Sequence, residues 1–212
     1  MKRALVVWGG LELHEPEAGA LIVRDLLTAE GFDVTVTPDY AAFGDTPGQY
    51  DLIVPQITGG ALDRETSIAL CDAVEAGTGV GAFHHGLATS FPGNMRMRFL
   101  AGCTFASHPG NIIDYHVDPV KTDDPVMAGI PRFAHHSEQY FLHVDPSVDV
   151  LATTTFSGEH AWWKKDVVVP VVFKSRYGAG RVFYSALGHV AAELAQPEVR
   201  TILHRGLLWA SR

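Results

Sequence analysis

Cysteine is scarce in this chain: Cys71 and Cys103 are the only two among 212 residues. No C-x-x-C pair exists, which excludes a disulfide framework and a cysteine-rich zinc site. Both thiols are expected to be reduced, as in a cytoplasm. Positive charge is also in short supply, with 16 Lys and Arg against 24 Asp and Glu and a net charge of −8 with histidines neutral. There is no basic run, so nucleic acid is not an expected partner. No apolar run approaches the roughly 20 residues a membrane helix needs. The five apolar residues after Met1-Lys2-Arg3 are too few for a signal peptide, so the expected location is the cytoplasm, with no membrane partner. A phosphate loop is missing too: Gly77-Thr78-Gly79 precedes a strand rather than a helix. H-E-x-x-H and comparable local metal spacings are absent.

What the chain does have is a large apolar share and many histidines. Hydrophobic residues make up 47% and charged residues 19%, which suits one packed core. No repeat or composition shift divides the chain, so residues 1–212 read as a single domain. Ala4–Trp8, Val34–Thr37, Tyr50–Val54 and Gly79–Phe83 read as short buried strands. Glu15–Glu30 and Leu62–Ala76 carry helical spacing between them. This alternation argues for a parallel sheet with helices on its faces. Pro92–Gly110 reads as irregular, and its apolar segments up to Phe105 would suit a homo-oligomer interface. Ile112–Val117, Phe141–Val144, Val148–Thr153, Val167–Lys174 and Arg181–Ser185 read as later strands, with Pro170 marking an edge or a bulge. Glu198–Trp209 is a closing helix.

Chemistry concentrates at Gly79–Gly86, GVGAFHHG, where an apolar run ends abruptly in His84-His85-Gly86. Leu87, Ala88 and Thr89 then read as a helix start. A strand–elbow–helix turn of this kind presents the nucleophile of G-x-S-x-G hydrolases; here it presents imidazole. His14 follows the first strand and His189 follows RVFYSALG, so three histidines leave strands that should share one rim of the sheet. Imidazole suits proton transfer near neutrality and, when neutral, metal ligation. His14, His84 and His189 with a carboxylate would make a Zn or Mn site. His135-His136 reads as a loop leading to Ser137-Glu138-Gln139-Tyr140, where Glu138 could be a base or a ligand. His85 sits beside the elbow and His108 in the irregular segment. Trp162-Trp163 reads as a surface platform or as packing, with packing favoured for at least one ring. His116, His143 and His204 read as structural.

These residues resemble the ThuA-like family, named for trehalose utilisation, within the class I glutamine-amidotransferase-like superfamily. The likeness runs from Val6 to Trp209. It is carried by His14 after the first strand, YDLIV with Gly59-Gly60, the elbow GAFHHG, FASHP at Phe105–Pro109, SEQY at Ser137–Tyr140 and, most specifically, GAGRVFYSALGH at Gly178–His189. The resemblance implies an α/β fold: a flavodoxin-like, class I glutamine-amidotransferase-like three-layer sandwich with a mostly parallel central sheet. It aligns His84 with the superfamily's nucleophilic cysteine and His189 with its catalytic histidine. Glu193 lies four residues after His189 rather than two, and Asp124-Pro125-Val126 replaces an H-P-I-like segment. With no thiol at position 84, a thioester mechanism is excluded.

The resemblance further implies carbohydrate catabolism, including disaccharides and their 3-keto forms. The expected reading is an enzyme acting on a sugar or keto-sugar, as isomerase, lyase or hydrolase. His84, His189 and Glu138 would be catalytic, and His14, His85, His108 and Tyr140 would contact substrate. The expected partner is a small-molecule carbohydrate; His84 and His189 would serve either as acid/base groups or, with His14, as ligands of a divalent metal. The rival reading is a non-catalytic sugar-binding or regulatory module that kept the fold and lost the nucleophile.

Overall fold

The computed structural model describes residues 1–212. Its centre is one nine-stranded sheet, built from short strands that are buried where helices cover both faces. Taken in chain order, these are β1 (Arg3–Gly9), β2 (Asp33–Thr37), β3 (Leu52–Ile57), β4 (Gly79–Phe83), β6 (Ile112–Pro119), β7 (Phe133–Glu138), β9 (Asp149–Thr155), β10 (Val168–Tyr177) and β11 (Gly180–Ser185). The spatial order is β2-β1-β3-β4-β11-β10-β9-β6-β7. β2, β1, β3, β4 and β11 are mutually parallel, as expected. The other four strands extend the sheet antiparallel. A separate pair, β5 (Cys103–Ser107) with β8 (Phe141–Val144), forms a small second sheet.

Four helices complete the layers: α1 (Pro16–Ala29), α2 (Arg64–Glu75), α3 (Met95–Ala101) and α4 (Pro197–Ala210). α1 and α4 touch each other and pack on β1, β4 and β11, whereas α2 packs with α3. Pro16 and Pro197 stand at helix starts, where the missing N–H costs nothing, and Asp63 and Asn94 cap α2 and α3 through Thr66 N and Met97 N. A contiguous core of 53 buried residues runs through the sheet. No helix is long and apolar enough to cross a membrane.

No helix follows the elbow directly: Leu87, Ala88 and Thr89 lie in turns, with Leu87 at φ 58°, and the next helix begins only at Met95. The segment read as irregular holds α3 and β5. On α3, Met95 and Phe99 point outward. His135 and His136 lie on β7 rather than in a loop. Its polar sequence hid it, yet alternate residues of β7 are buried as in any half-covered strand. Pro170 sits in a central strand, so of the two expected positions it takes the bulge: the β9–β10 register shifts between Pro170 and Val172. Both tryptophans are exposed, Trp162 to 78% and Trp163 to 64%, which overturns packing as the role of either ring. Asp124 grips the buried Lys174 ammonium with both carboxylate oxygens at 2.6 Å, a structural contact between a turn and β10.

Candidate functional site

Four strand ends supply the centre. β1 ends before a short turn, Glu12–His14, that brings His14 back over the sheet. β4 ends at Phe83 and hands His84 to the elbow at φ 45°, a left-handed conformation rarely taken by side chains other than glycine. Three contacts hold it there. His84 N donates to Ser185 O (2.6 Å), the Tyr184 hydroxyl donates to His84 O (2.5 Å), and His84 Nδ1 donates to Ala186 O (3.1 Å). β11 runs into Gly188 and His189. β7 enters from the antiparallel half and ends at Glu138. The strand order reverses between β1 and β3; the site begins at that switch point and reaches across to β11.

The three imidazoles form a nearly equilateral triangle. Ring centroids are 5.4 Å apart for His14–His84, 5.2 Å for His14–His189 and 5.1 Å for His84–His189. Glu138 closes the group: its Oε2 is 3.2 Å from His84 Nε2 and its Oε1 is 3.8 Å from His189 Nε2. One ligand atom from each of the four residues lies within 4.8 Å of all the others.

Each imidazole has its outer nitrogen turned to the scaffold. His14 Nδ1 meets the Thr58 hydroxyl at 2.6 Å, His84 Nδ1 meets Ala186 O, and His189 Nδ1 faces Glu193 Oε1 at 3.9 Å. Glu193 is itself fixed, accepting from the Ser137 hydroxyl and from His189 N, each at 2.8 Å. The hydrogen bonds at His14 and His84 fix ring orientation and leave the second nitrogen facing inward, while Glu193 holds His189 through its backbone N–H. His84 shows the consequence. Ala186 O can only accept, so Nδ1 carries a proton. Nε2 then faces a Glu138 oxygen at 3.2 Å and the Tyr140 hydroxyl at 2.9 Å. In neutral His84 two lone pairs would oppose each other across the Glu138 contact. That contact is attractive only with a proton or a metal cation between them.

Electrostatics favour neutral rings at His14, His85 and His189 beside a charged Glu138 carboxylate. Burial, then the neighbouring His84, lowers His14 to about 4. Burial and His84 also lower His189, and burial drives His85 well below the usual imidazole range. Burial alone would raise Glu138, but the His84 hydrogen bond and the positive charge that His84, His108 and His189 carry when protonated outweigh it and hold the carboxyl at about 2. These are the protonation states in which imidazole and carboxylate bind metals.

The remaining expected site residues fall around this group. His108 is at the rim, its Nε2 3.6 Å from Glu138 Oε1 and its side chain 30% exposed. Tyr140 is buried, and burial raises its hydroxyl; its hydrogen bond goes to His84, so it supports the centre from within. His85 is 1% exposed, stacked flat on His14 at 4.6 Å, with Gln56 Nε2 3.0 Å from its Nε2. That ring has no face open to a ligand, so the expected substrate contact at His85 gives way to packing behind His14. Sequence reasoning assigned no role to Thr58 or Glu193. Thr58 was findable as the residue leaving β3 at the same rim; Glu193 needed the fold of Ala191–Ala195, a single 3-10 turn. Two cavities, of about 460 and 540 Å³, are lined by none of the four cluster residues: one lies beside β6 and β7, next to the strand end that carries Glu138, and one between Gly60–Leu62 and Asn94–Arg96.

A family model described as ThuA, trehalose utilisation, matches residues 3–210. Among solved structures, a ThuA-like protein from Parabacteroides merdae superposes with a TM-score of 0.78 at 18% identity, over 99% of this chain and 88% of that one. One from Bacteroides uniformis gives 0.78 at 19% identity, over 99% and 91%. The β-galactosidase of Rahnella sp. R3 aligns with 99% of this chain over 30% of its own length, at 18% identity and a TM-score of 0.61. At these identities the structures establish a shared fold. No curated protein matches.

Proposed function

From the premise that the chain belongs to the ThuA, trehalose-utilisation family, we propose that it is an enzyme acting on a sugar or keto-sugar at the His14–His84–Glu138–His189 centre. The observation that supports this most is the convergence of these four side chains from four strand ends, each imidazole backed by a scaffold partner. His14, His84 and His189 would hold a divalent cation such as Zn or Mn, a donor set suited to either. A cation there would polarise a sugar carbonyl or hydroxyl. Glu138 would move a proton at the carbon beside the carbonyl, giving isomerisation or elimination. Tyr140 and Glu193 position His84 and His189.

A second reading, a sugar-binding module without turnover, is favoured by how closed the centre is: His84 is 0% and Glu138 9% exposed. Deuterium exchange separates the two. Incubation with a 3-keto-disaccharide in heavy water, followed by proton NMR, should show loss of the proton beside the carbonyl. Glu138→Gln should slow that loss about 10²-fold or more. No exchange above the uncatalysed rate, in protein that still binds the sugar, supports the binding module instead.

A further inference from the structure

The cavity of about 460 Å³ beside β6 and β7 is built by the strand pairing. β6 and β9 pair only at Asp118 and Pro119; towards the start of β6 the two strands part. Gln139, 3% exposed, fills the wedge. Its Nε2 donates to Thr154 Oγ1 at 2.7 Å and to Thr155 O at 3.3 Å, its Oε1 has no donor from the protein, and the residue lines the groove. The β6–β7 register pairs Ile112 with Glu138 and Asp114 with His136. Paired residues and residues two apart share a face, so the groove lies on the face of the ribbon that ends in Glu138.

The loops make a shared wall. His160 lies on Gly110, where a Cβ would come 2.4 Å from His160 Cδ2, and His108, two residues earlier, is 3.6 Å from Glu138. The groove is polar: Asp118 is paired with Arg132 and Asp114 is within hydrogen-bond distance of His136 Nδ1, each at 2.8 Å. Hydrogen-bonded carboxylates, an amide oxygen without a protein donor and the hydroxyls of Thr155 and Ser157 suit a polyhydroxylated ring. Same-face positions on a strand recur every ~6.6–6.8 Å, a step that a single pyranose unit spans.

We propose that this groove is a second glycosyl subsite, holding the unit of a disaccharide that is not at the reacting centre. The proposal rests on the carbohydrate reading above. The test is calorimetric titration with trehalose and with glucose of the wild type, Glu159→Ala and Gln139→Ala. Metal content is measured on the same samples, and amide shifts are mapped by NMR. Glu159 lines the groove and is exposed, so its variant keeps the fold where Gln139→Ala loses it. The expected result is trehalose binding about tenfold tighter than glucose, as one or two net hydrogen bonds would give. That margin should be lost in the variants, and shifts at Asp114 and Thr155 should appear with trehalose only. Equal affinities for the two sugars, or a preference that survives both substitutions, overturn the subsite and leave the centre standing. Failure of both sugars to bind metal-loaded wild type overturns the subsite together with the carbohydrate reading, while the metal content reports separately on the centre.

Discussion

His84 carries its imidazole on a backbone at φ 45°, which costs a residue with a side chain about 1–2 kcal/mol. The surrounding hydrogen bonds hold it there, so the strain is a feature of the elbow that aims the ring. No thiol stands at this address. Cys103 is buried and burial pushes its thiol up to about 12; Cys71 is likewise buried, and burial raises its pKa as well. The chain is therefore expected to release no ammonia from glutamine above a blank. Release that disappears in His84→Ala would contradict the reading of the elbow. The titration of single residues gives a second outcome. In metal-free protein His14 is held at about 4, against 6.5 ordinarily. The unfolded chain takes up this proton first, so the stability contributed by neutral His14 is complete above about pH 6.5 and lost between 6.5 and 4, of order 3 kcal/mol. Glu138, held at about 2 against 4.5, adds a further loss from about pH 4.5 down to 2. Thermal melts of chelator-treated protein should fall in midpoint as pH drops below 6.5, with His14→Gln flattening that limb. A midpoint that stays level from pH 7.5 to 4 would contradict the neutral, buried His14.

Elements rather than residues decide what was legible in the sequence. β1, β3, β4 and β11 were readable because each is a short apolar run closed by glycine, and their ends predicted where His14, His84 and His189 would meet. β7 was not readable: a strand that carries His135, Ser137 and Glu138 towards Glu193 and the centre has lost the apolar signature of a strand. The position of Glu138 therefore had no topological argument behind it until the pairing with β6 was known. α3 was hidden by Pro92, Gly93 and Gly102 around only seven residues. The close docking of α4 on β11 was also invisible, although it supports the strand that delivers His189. A Cβ on Gly206 would lie 2.1 Å from Phe183 Cζ. Gly206→Ala should destabilise by about 1–3 kcal/mol in denaturant titrations, overpacking outweighing the helix propensity gained. A stabilised variant would show that Phe183 yields easily and that the helix does not depend on this contact.

At the scale of the whole molecule, the function proposed here depends on joining two halves of one sheet. The parallel half brings three histidines to its rim, and the antiparallel half swings a carboxylate onto them. The same architecture is shared with ThuA-like proteins and with a portion of a β-galactosidase, so the fold alone does not fix the chemistry. The four side chains at the rim carry that burden. The most direct measurement is elemental analysis and zinc titration of protein purified without a histidine tag, alongside His14→Ala and His189→Ala. About one divalent ion per chain is expected in the wild type, lost or weakened at least about tenfold in each variant. Protein that stays metal-free after supplementation with zinc and manganese, or variants that bind as tightly as the wild type, would contradict that expectation.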